Sequence, residues 1–357
     1  MARTMTLAIL ADDLTGACDT GALFTRRAPV PVTVFPQRRA EGDVVVVDAE
    51  SRALPAADAR RRVRAAVNEV MTPERWFKKV DSTLRGAIAA ELDELIAQTG
   101  AAGALLCPAF PALRRTVVER VLRVDRTPVG ETALARDPDW ALASSDIVEA
   151  LRSTSARRVE WCSLEALRNG RLGGPGGAIV VCDAETDADL DLIAAAGLTL
   201  SPAPALVGSA GLAGALARRL RLAGPPPPLP AGLRWLIVAG SLHPATTAQV
   251  AAVRGRRVRL VTPPPALSAD RHAVAAELAR QARKIVETEP VDLVSVTGGD
   301  TAVALYREFD AERIDLLGAP VPGLALGRLR RGDGLEFTLL TKAGGFGAPD
   351  LFARLIS

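Results

Sequence analysis

Two acids stand side by side at Asp12-Asp13, directly after the apolar run Thr6–Ala11 and before Leu14-Thr15-Gly16. Adjacent carboxylates beside the N–H groups of a starting helix could supply a general base and its orienting partner. One of them could instead cap the helix, a task that needs a single acid. A second cluster reads Lys79-Val80-Asp81-Ser82-Thr83-Leu84-Arg85-Gly86. Here Lys79 and Arg85 offer positive charge and Ser82 and Thr83 offer hydroxyls, a set suited to a carboxylate or another anion. Lys79 could also pair internally with Asp81 or Asp13. Arg52, in Ser51-Arg52, is a weaker candidate for the same pocket, and a solvated arginine would look the same.

Four glycine-bearing loops could bind phosphate. They are Gly208-Ser209-Ala210-Gly211, Gly240-Ser241-Leu242-His243, Gly298-Gly299-Asp300-Thr301 and Lys342-Ala343-Gly344-Gly345. Glycine lets backbone N–H groups approach phosphate oxygens, and a helix start adds partial positive charge. One such loop means little in an α/β protein; four together point to a nucleotide. His243 could face that nucleotide, cap a helix or sit in solvent. Only four of the 44 cationic residues are lysines, so Lys79 and Lys342 carry more information than an arginine would.

Familiar alternatives are missing. No G-x-x-x-x-G-K-[ST] and no G-x-G-x-x-G occur, against a Walker-type enzyme and an ordinary nicotinamide dehydrogenase. No G-x-S-x-G elbow is present. Cys18, Cys107, Cys162 and Cys182 are scattered and there are two histidines, so no metal site is expected. Scattered thiols fit a reducing cytoplasm. The run after Arg3 is too short and too soon charged for a signal peptide, and no apolar stretch is long enough to span a bilayer.

These residues need strands and helices to place them. Apolar runs at Thr6–Ala11, Val44–Val47, Trp76–Val80, Ala104–Cys107, Ala178–Cys182, Arg234–Ala239, Val258–Val261, Leu293–Thr297 and Leu335–Thr341 read as buried strands. Helical segments alternate with them: Ala56–Met71, Ala87–Gln98, Ala210–Leu222, Thr246–Arg254, Arg271–Glu287 and Thr301–Phe309. The alternation predicts an α/β fold of two domains, each a mostly parallel sheet flanked by helices. Ligands on such sheets lie beyond the carboxyl ends of the strands, where all the clusters above fall. The chain has 357 residues, and a proline run at 225–230 divides it. The expected parts are 1–222, a linker 223–233, and 234–357. The composition is 48% hydrophobic and 24% charged, with net charge +3. That is ordinary for a globular protein and carries no footprint for nucleic acid or an anionic membrane.

Taken together, the motifs resemble the four-carbon acid sugar kinase family over almost the whole chain. Ala11–Ala17 and Lys79–Gly86 look like its opening and substrate motifs. Cys107-Pro108-Ala109-Phe110-Pro111 with Arg115-Thr116 looks like its central motif, and the glycine loops look like its nucleotide set. The resemblance implies an N-terminal sugar-acid domain, a C-terminal ATP domain and an active site in the cleft between them. It implies phosphorylation of the terminal hydroxyl of threonate, erythronate or 3-oxo-tetronate, with ATP and Mg²⁺. It places Asp12, Arg52, Lys79, Asp81, Ser82 and Arg85 at the sugar acid, and Ser241, Gly298, Gly299, Asp300, Thr301 and Gly345 at ATP. Arg114 and Arg120 stand where the family usually has glycine, and Ala319 where it usually has glutamate. If the backbone at Arg114 needs positive φ, arginine is strained there. A non-catalytic sensor of sugar acid or nucleotide is the alternative from another class. The oligomeric state is open, with a homodimer among the options.

Overall fold

A computed structural model describes residues 5–36, 40–136, 144–241, 243–255, 258–263 and 270–356. Arg3 and Leu242 therefore lie outside the described residues. The strands are β1 (Leu7–Ala11), β2 (Val30–Val34), β3 (Val44–Asp48), β4 (Arg75–Lys79), β5 (Ala104–Cys107), β6 (Arg115–Val118), β7 (Val121–Val124), β8 (Thr127–Pro128), β9 (Val159–Cys162), β10 (Ile179–Cys182) and β11 (Ala205–Gly208). The second half adds β12 (Trp235–Ala239), β13 (Val258–Val261), β14 (Leu293–Thr297), β15 (Ala311–Gly318), β16 (Leu324–Arg331) and β17 (Glu336–Lys342). The helices are α1 (Leu14–Gly21), α2 (Ala56–Asn68), α3 (Ile88–Thr99), α4 (Ile147–Arg152), α5 (Leu164–Arg168), α6 (Asp187–Thr199), α7 (Ala210–Arg219), α8 (Pro244–Ala251), α9 (Arg271–Thr288), α10 (Gly299–Glu308) and α11 (Leu351–Ile356).

The α/β class and the largely parallel pairing are as the alternation predicts, and each apolar run named above is a strand. The sheets of the two halves are joined. Fourteen strands form one sheet in the order β13-β12-β14-β17-β16-β15-β2-β3-β1-β4-β11-β5-β10-β9. The outer blocks are parallel, while β17, β16, β15 and β2 meet antiparallel in the middle. The join is Ile314 opposite Val32 and Leu316 opposite Val30. Strands β15 and β16 carry charge at alternate positions, Arg328 and Arg330 among them, so they lack the continuous apolar run that marks a buried parallel strand.

The reversal puts the two parallel blocks in opposite directions. Sheet twist offsets it. Six neighbour steps separate β14 from β1. At about 20–25° each, the accumulated rotation is roughly 120–150°. The two strands are thus left within roughly 30–60° of pointing the same way, and their carboxyl ends open on the same side of the molecule. Helix α1 lies along the seam, against β2, β3, β17 and α10. One hydrophobic cluster runs from Leu7 through Phe77 and Leu236 to Leu339, so the core also crosses from one half to the other. The proline run takes no regular structure. It passes close to the seam, with Pro227 against Gly318 and Gly224 against Thr25.

Candidate active site

The Asp-Asp pair follows β1, whose five residues are all buried. The two carboxylates part at once. Asp12 turns inward and is held bidentately by Arg52, Nε to Oδ2 at 2.8 Å and Nη2 to Oδ1 at 2.8 Å. Burial would raise its pKa, but Arg52, then Lys78 and Lys79, pull it down to about 2. Such a carboxylate is a fixed anion and a poor base. Asp13 caps α1 instead. Its Oδ1 accepts from Gly16 N at 3.1 Å and its Oδ2 accepts from Thr15 Oγ1 at 2.6 Å. Arg52 Nη2 also donates to Asp13. A methyl group on Gly16 would fall 2.4 Å from Asp13 Oδ1 and 2.6 Å from Lys79 Nζ, so only glycine allows this approach.

Strand β4 alternates its lysines. Lys78 goes to one face, where its ammonium lies 2.8 Å from Glu91 with both side chains fully buried. Lys79 goes to the other, toward Asp13 and Gly16. It is 6% exposed. Among the described residues its ammonium forms no ion pair or hydrogen bond. The next turn is organised by Asp81, which accepts from Thr83 N at 3.0 Å, from Thr83 Oγ1, and from Arg85 Nε and Nη2 at 3.1 and 2.9 Å. Burial works against its ionisation, but Arg85 and Arg52 hold the carboxyl well below the usual range. Ser82 accepts from Arg115 Nη1, at the start of β6.

The second half brings three loops to the same end of β12, β14 and β17. Helix α10 begins at Gly298, φ 103°, with no side-chain cap. Its first N–H groups are therefore available to an anion. A methyl on Gly299 would lie 3.3 Å from Asp13 Oδ2, so this bare helix start faces the acidic pair of the other half. Ser241 Oγ accepts from His243 N at 3.2 Å, and His243 Nδ1 caps α8 by accepting from Ala245 N at 3.1 Å. Burial, then Lys342 and Arg115, lowers the His243 pKa. The imidazole ring stands against Gly345, and Gly344 is so close to Ser241 that a methyl would sit 2.2 Å from its hydroxyl. Gly240 packs against Thr301, which is buried. Asp300 points away to Arg271 at 3.6 Å and is partly exposed.

Several residues expected at a ligand also have partners within the protein. Arg52 turns Nε and Nη2 to Asp12 and Asp13, so this edge of its guanidinium organises the acids. The Thr83 hydroxyl turns back to Asp81. Ser209 caps α7 through Gly211 N and donates to Ala109 O at 2.8 Å, in the first half beside β4 and β5 rather than among the nucleotide loops. Lys342 is buried beneath its loop, with Nζ donating to the carbonyls of Ala343, Gly344 and Phe346 at 2.9, 3.1 and 3.1 Å. All three ammonium protons are used, so Lys342 shapes the loop from within. Arg85 gives two donors to Asp81 and keeps part of its guanidinium exposed.

Other contributors had no distinctive signal. Thr246 donates to Gly344 O at 2.8 Å, and Gln249 donates to Phe346 O and Ala348 O at 2.8 and 3.0 Å. Both sit on α8 at helical spacing and look like ordinary surface residues in sequence. Asp19 is a buried acid on α1, raised to about 6 chiefly by burial, with Lys79 lowering it in part.

The backbone at Arg114 is left-handed, φ 54°, as is that at Arg120, φ 69°. Arg120 forms a tight hairpin turn with Glu119, φ 51°. Both turn N–H groups are held by Asp183, at 2.9 and 3.0 Å.

A family described as a sugar-binding N-terminal domain matches residues 7–216, and one described as a nucleotide-binding C-terminal domain matches residues 262–352. A D-threonate kinase of Bordetella bronchiseptica is 33% identical over 98% of this chain and 96% of its own. A 3-oxo-tetronate kinase of Pseudomonas fluorescens is 31% identical over 91% of this chain and 80% of its own. A solved structure from Salmonella typhimurium LT2 superposes with a TM-score of 0.79 over 98% of both chains, at 20% identity. A Bordetella bronchiseptica structure, a domain-swapped dimer with bound citrate, is 30% identical with a TM-score of 0.50, covering 98% of this chain and 97% of its own. Acids at one strand end facing a bare helix start at another, in a chain that these kinases match nearly end to end, make this protein a phosphotransferase of the four-carbon acid sugar kinase family.

Proposed function

We propose that the protein transfers the γ-phosphoryl group of ATP to the terminal hydroxyl of a four-carbon acid sugar such as D-threonate or D-erythronate. The observation that carries this reading is the meeting of Asp13 with the uncapped start of α10. An acceptor hydroxyl at Asp13 would lie next to N–H groups suited to a transferring phosphate. Asp13 accepts the hydroxyl proton, and Asp12 and Arg52 hold it in place. Lys79, Ser82 and Arg85 take the sugar acid. Gly240, Ser241, Gly298, Gly299, Gly344 and Gly345 line the phosphates, with His243 and Lys342 fixing the loops.

Among the described residues no three His, Cys, Asp or Glu side chains are placed to hold a metal. That donor set fits Mg²⁺ only when phosphate oxygens and water complete its shell, which is its usual mode with nucleotides. Bound so, it would neutralise phosphate charge. A keto acid at C3, 3-oxo-tetronate, is the second reading, because four relatives bear that name. The four cysteines are all buried and free, in keeping with a cytoplasmic setting. A homodimer is proposed on the strength of the Bordetella structure, and light scattering would test it.

The decisive assay is ADP release from Mg-ATP with D- and L-threonate, D- and L-erythronate and 3-oxo-tetronate. Release that depends on one acid names the substrate. No release with any of them, under conditions where ATP binds, rejects the four-carbon acceptor.

A further inference from the structure

Most cations around the cleft are already engaged by carboxylates or carbonyls. Arg52 is bound to Asp12 and Asp13, Arg85 to Asp81, Lys78 to Glu91, and Lys342 to three carbonyls. Lys79 and Arg115 differ. Arg115 follows a left-handed residue and opens β6, paired back to Phe110 in a short bridge. The hydrogen bond of its guanidinium among the described residues goes to the neutral Ser82 hydroxyl, and no carboxylate forms an ion pair with it. Asp81 and Asp125 favour its charge only from a distance, and burial works against it.

The position of Arg115 is as telling as its charge. Ser82 belongs to the sugar-acid loop. On the other side, Arg115 is close enough to His243 to help depress that imidazole's pKa. His243 borders Gly345 in the nucleotide loops. The neighbouring Phe110 meets Phe346 across the seam, with ring centroids 6.3 Å apart. Arg115 thus stands where the two halves touch, with four N–H donors in reserve. A phosphoryl group passing from nucleotide to hydroxyl must cross that seam.

We infer that Arg115 is a catalytic residue whose guanidinium binds the phosphoryl group in transfer, while Lys79 serves the acceptor side. The inference rests on the kinase reading above. In the step, the bond from the γ-phosphorus to the β–γ bridging oxygen breaks and a bond from phosphorus to the sugar hydroxyl oxygen forms. The hydroxyl proton goes to Asp13, and ADP leaves with the electron pair of the broken bond. Charge on the equatorial oxygens is then met by Arg115. A planar fork suits that task better than an ammonium does.

The test compares wild type with Arg115→Ala, Arg115→Lys and Arg115→Gln in acid-dependent ADP release. Melting curves confirm that the variants fold, and free guanidinium is added to the alanine variant. Arg115→Ala should lose at least about a hundredfold in kcat, the scale of removing one donor from a developing anion. KM for the sugar acid and the ATP dissociation constant should move less than about threefold, as for an interaction made only in the transition state. Added guanidinium should restore part of kcat. A rise in sugar-acid KM at unchanged kcat would overturn the assignment and place the carboxylate there. Unchanged kinetics in all three variants would also overturn it. An inactive wild type over the whole panel would reject the kinase reading itself, which is a separate outcome.

Discussion

Adjacent acids in a sequence do not reveal which one reacts. At Asp12 and Asp13 the difference comes from burial and from Arg52. Asp12 is fully enclosed and bidentately held, while Asp13 reaches the seam. Asp13→Asn should lower kcat by about a hundredfold or more with little change in ATP affinity, the range for losing a general base. Asp12→Asn should also cost stability, about 1–3 kcal/mol, because it weakens the bidentate pairing of a buried guanidinium that keeps only Asp13 as an anion. Thermal melts beside steady-state kinetics separate the two. His243 adds a pH effect. Its Nδ1 must be unprotonated to accept from Ala245 N–H, and its pKa lies below the ordinary 6.5. The folded state therefore resists protonation. Its contribution is present above the unfolded value and fades as pH falls through the lower folded one. Calorimetric ATP affinity should weaken on acidification by roughly the worth of a cap, about 1 kcal/mol or fivefold. His243→Asn, which caps without titrating, should flatten that dependence.

Among the elements, the loop after β17 depends on Lys342. Burial lowers this ammonium to about 8, and the three carbonyls require its three donors. The unfolded lysine titrates near 10.5. Between these values the unfolded chain binds the extra proton, so stability from this group rises with pH. Nucleotide affinity should move the other way, falling as pH passes about 8 and a donor is lost. Lys342→Met should weaken ATP binding by about tenfold or more, since buried carbonyls left without partners cost about 1–3 kcal/mol each. Sugar-acid affinity should be kept. Titration calorimetry with each ligand checks both. The small β6–β8 sheet carries a different cost. Arg114 adopts a left-handed backbone, and its ion pair to Asp125 is largely exposed, so it offsets little. Arg114→Gly should raise stability by about 1 kcal/mol, read as a higher denaturation midpoint, with kinetics nearly unchanged.

At the scale of the molecule, the two halves share a sheet and a core. The β15–β2 pairing and the cluster from Leu7 to Leu339 make separate unfolding costly. Arg307 of α10 also pairs with Glu50 after β3, though both are partly exposed and such pairs add little. Calorimetry should therefore show a single unfolding peak whose van't Hoff and calorimetric enthalpies agree. Two resolved peaks would mean that the halves are thermally independent.

Local sequence alone determined the strand–helix alternation, because buried parallel strands are written as apolar runs and the polar clusters follow them directly. It also determined the chemical types at the site: paired acids, a Lys-Asp-Ser-Thr-Arg turn and glycine loops. The positive φ at Arg114 was an expectation drawn from the family resemblance, not from local sequence. The joining strands β15 and β16 were not legible, because their charged alternation suits an antiparallel pair that only its neighbours define. Nor was the partition of charge. Whether Arg52, Arg85, Lys342 or Arg115 can meet an anion depends on which carboxylates and carbonyls reach it first. Those partners lie as far as 40 residues away along the chain, as Asp12 does from Arg52. Electrostatics acts through space, so only the folded sheet, with its twist bringing β1 and β14 together, decided which cations remain free.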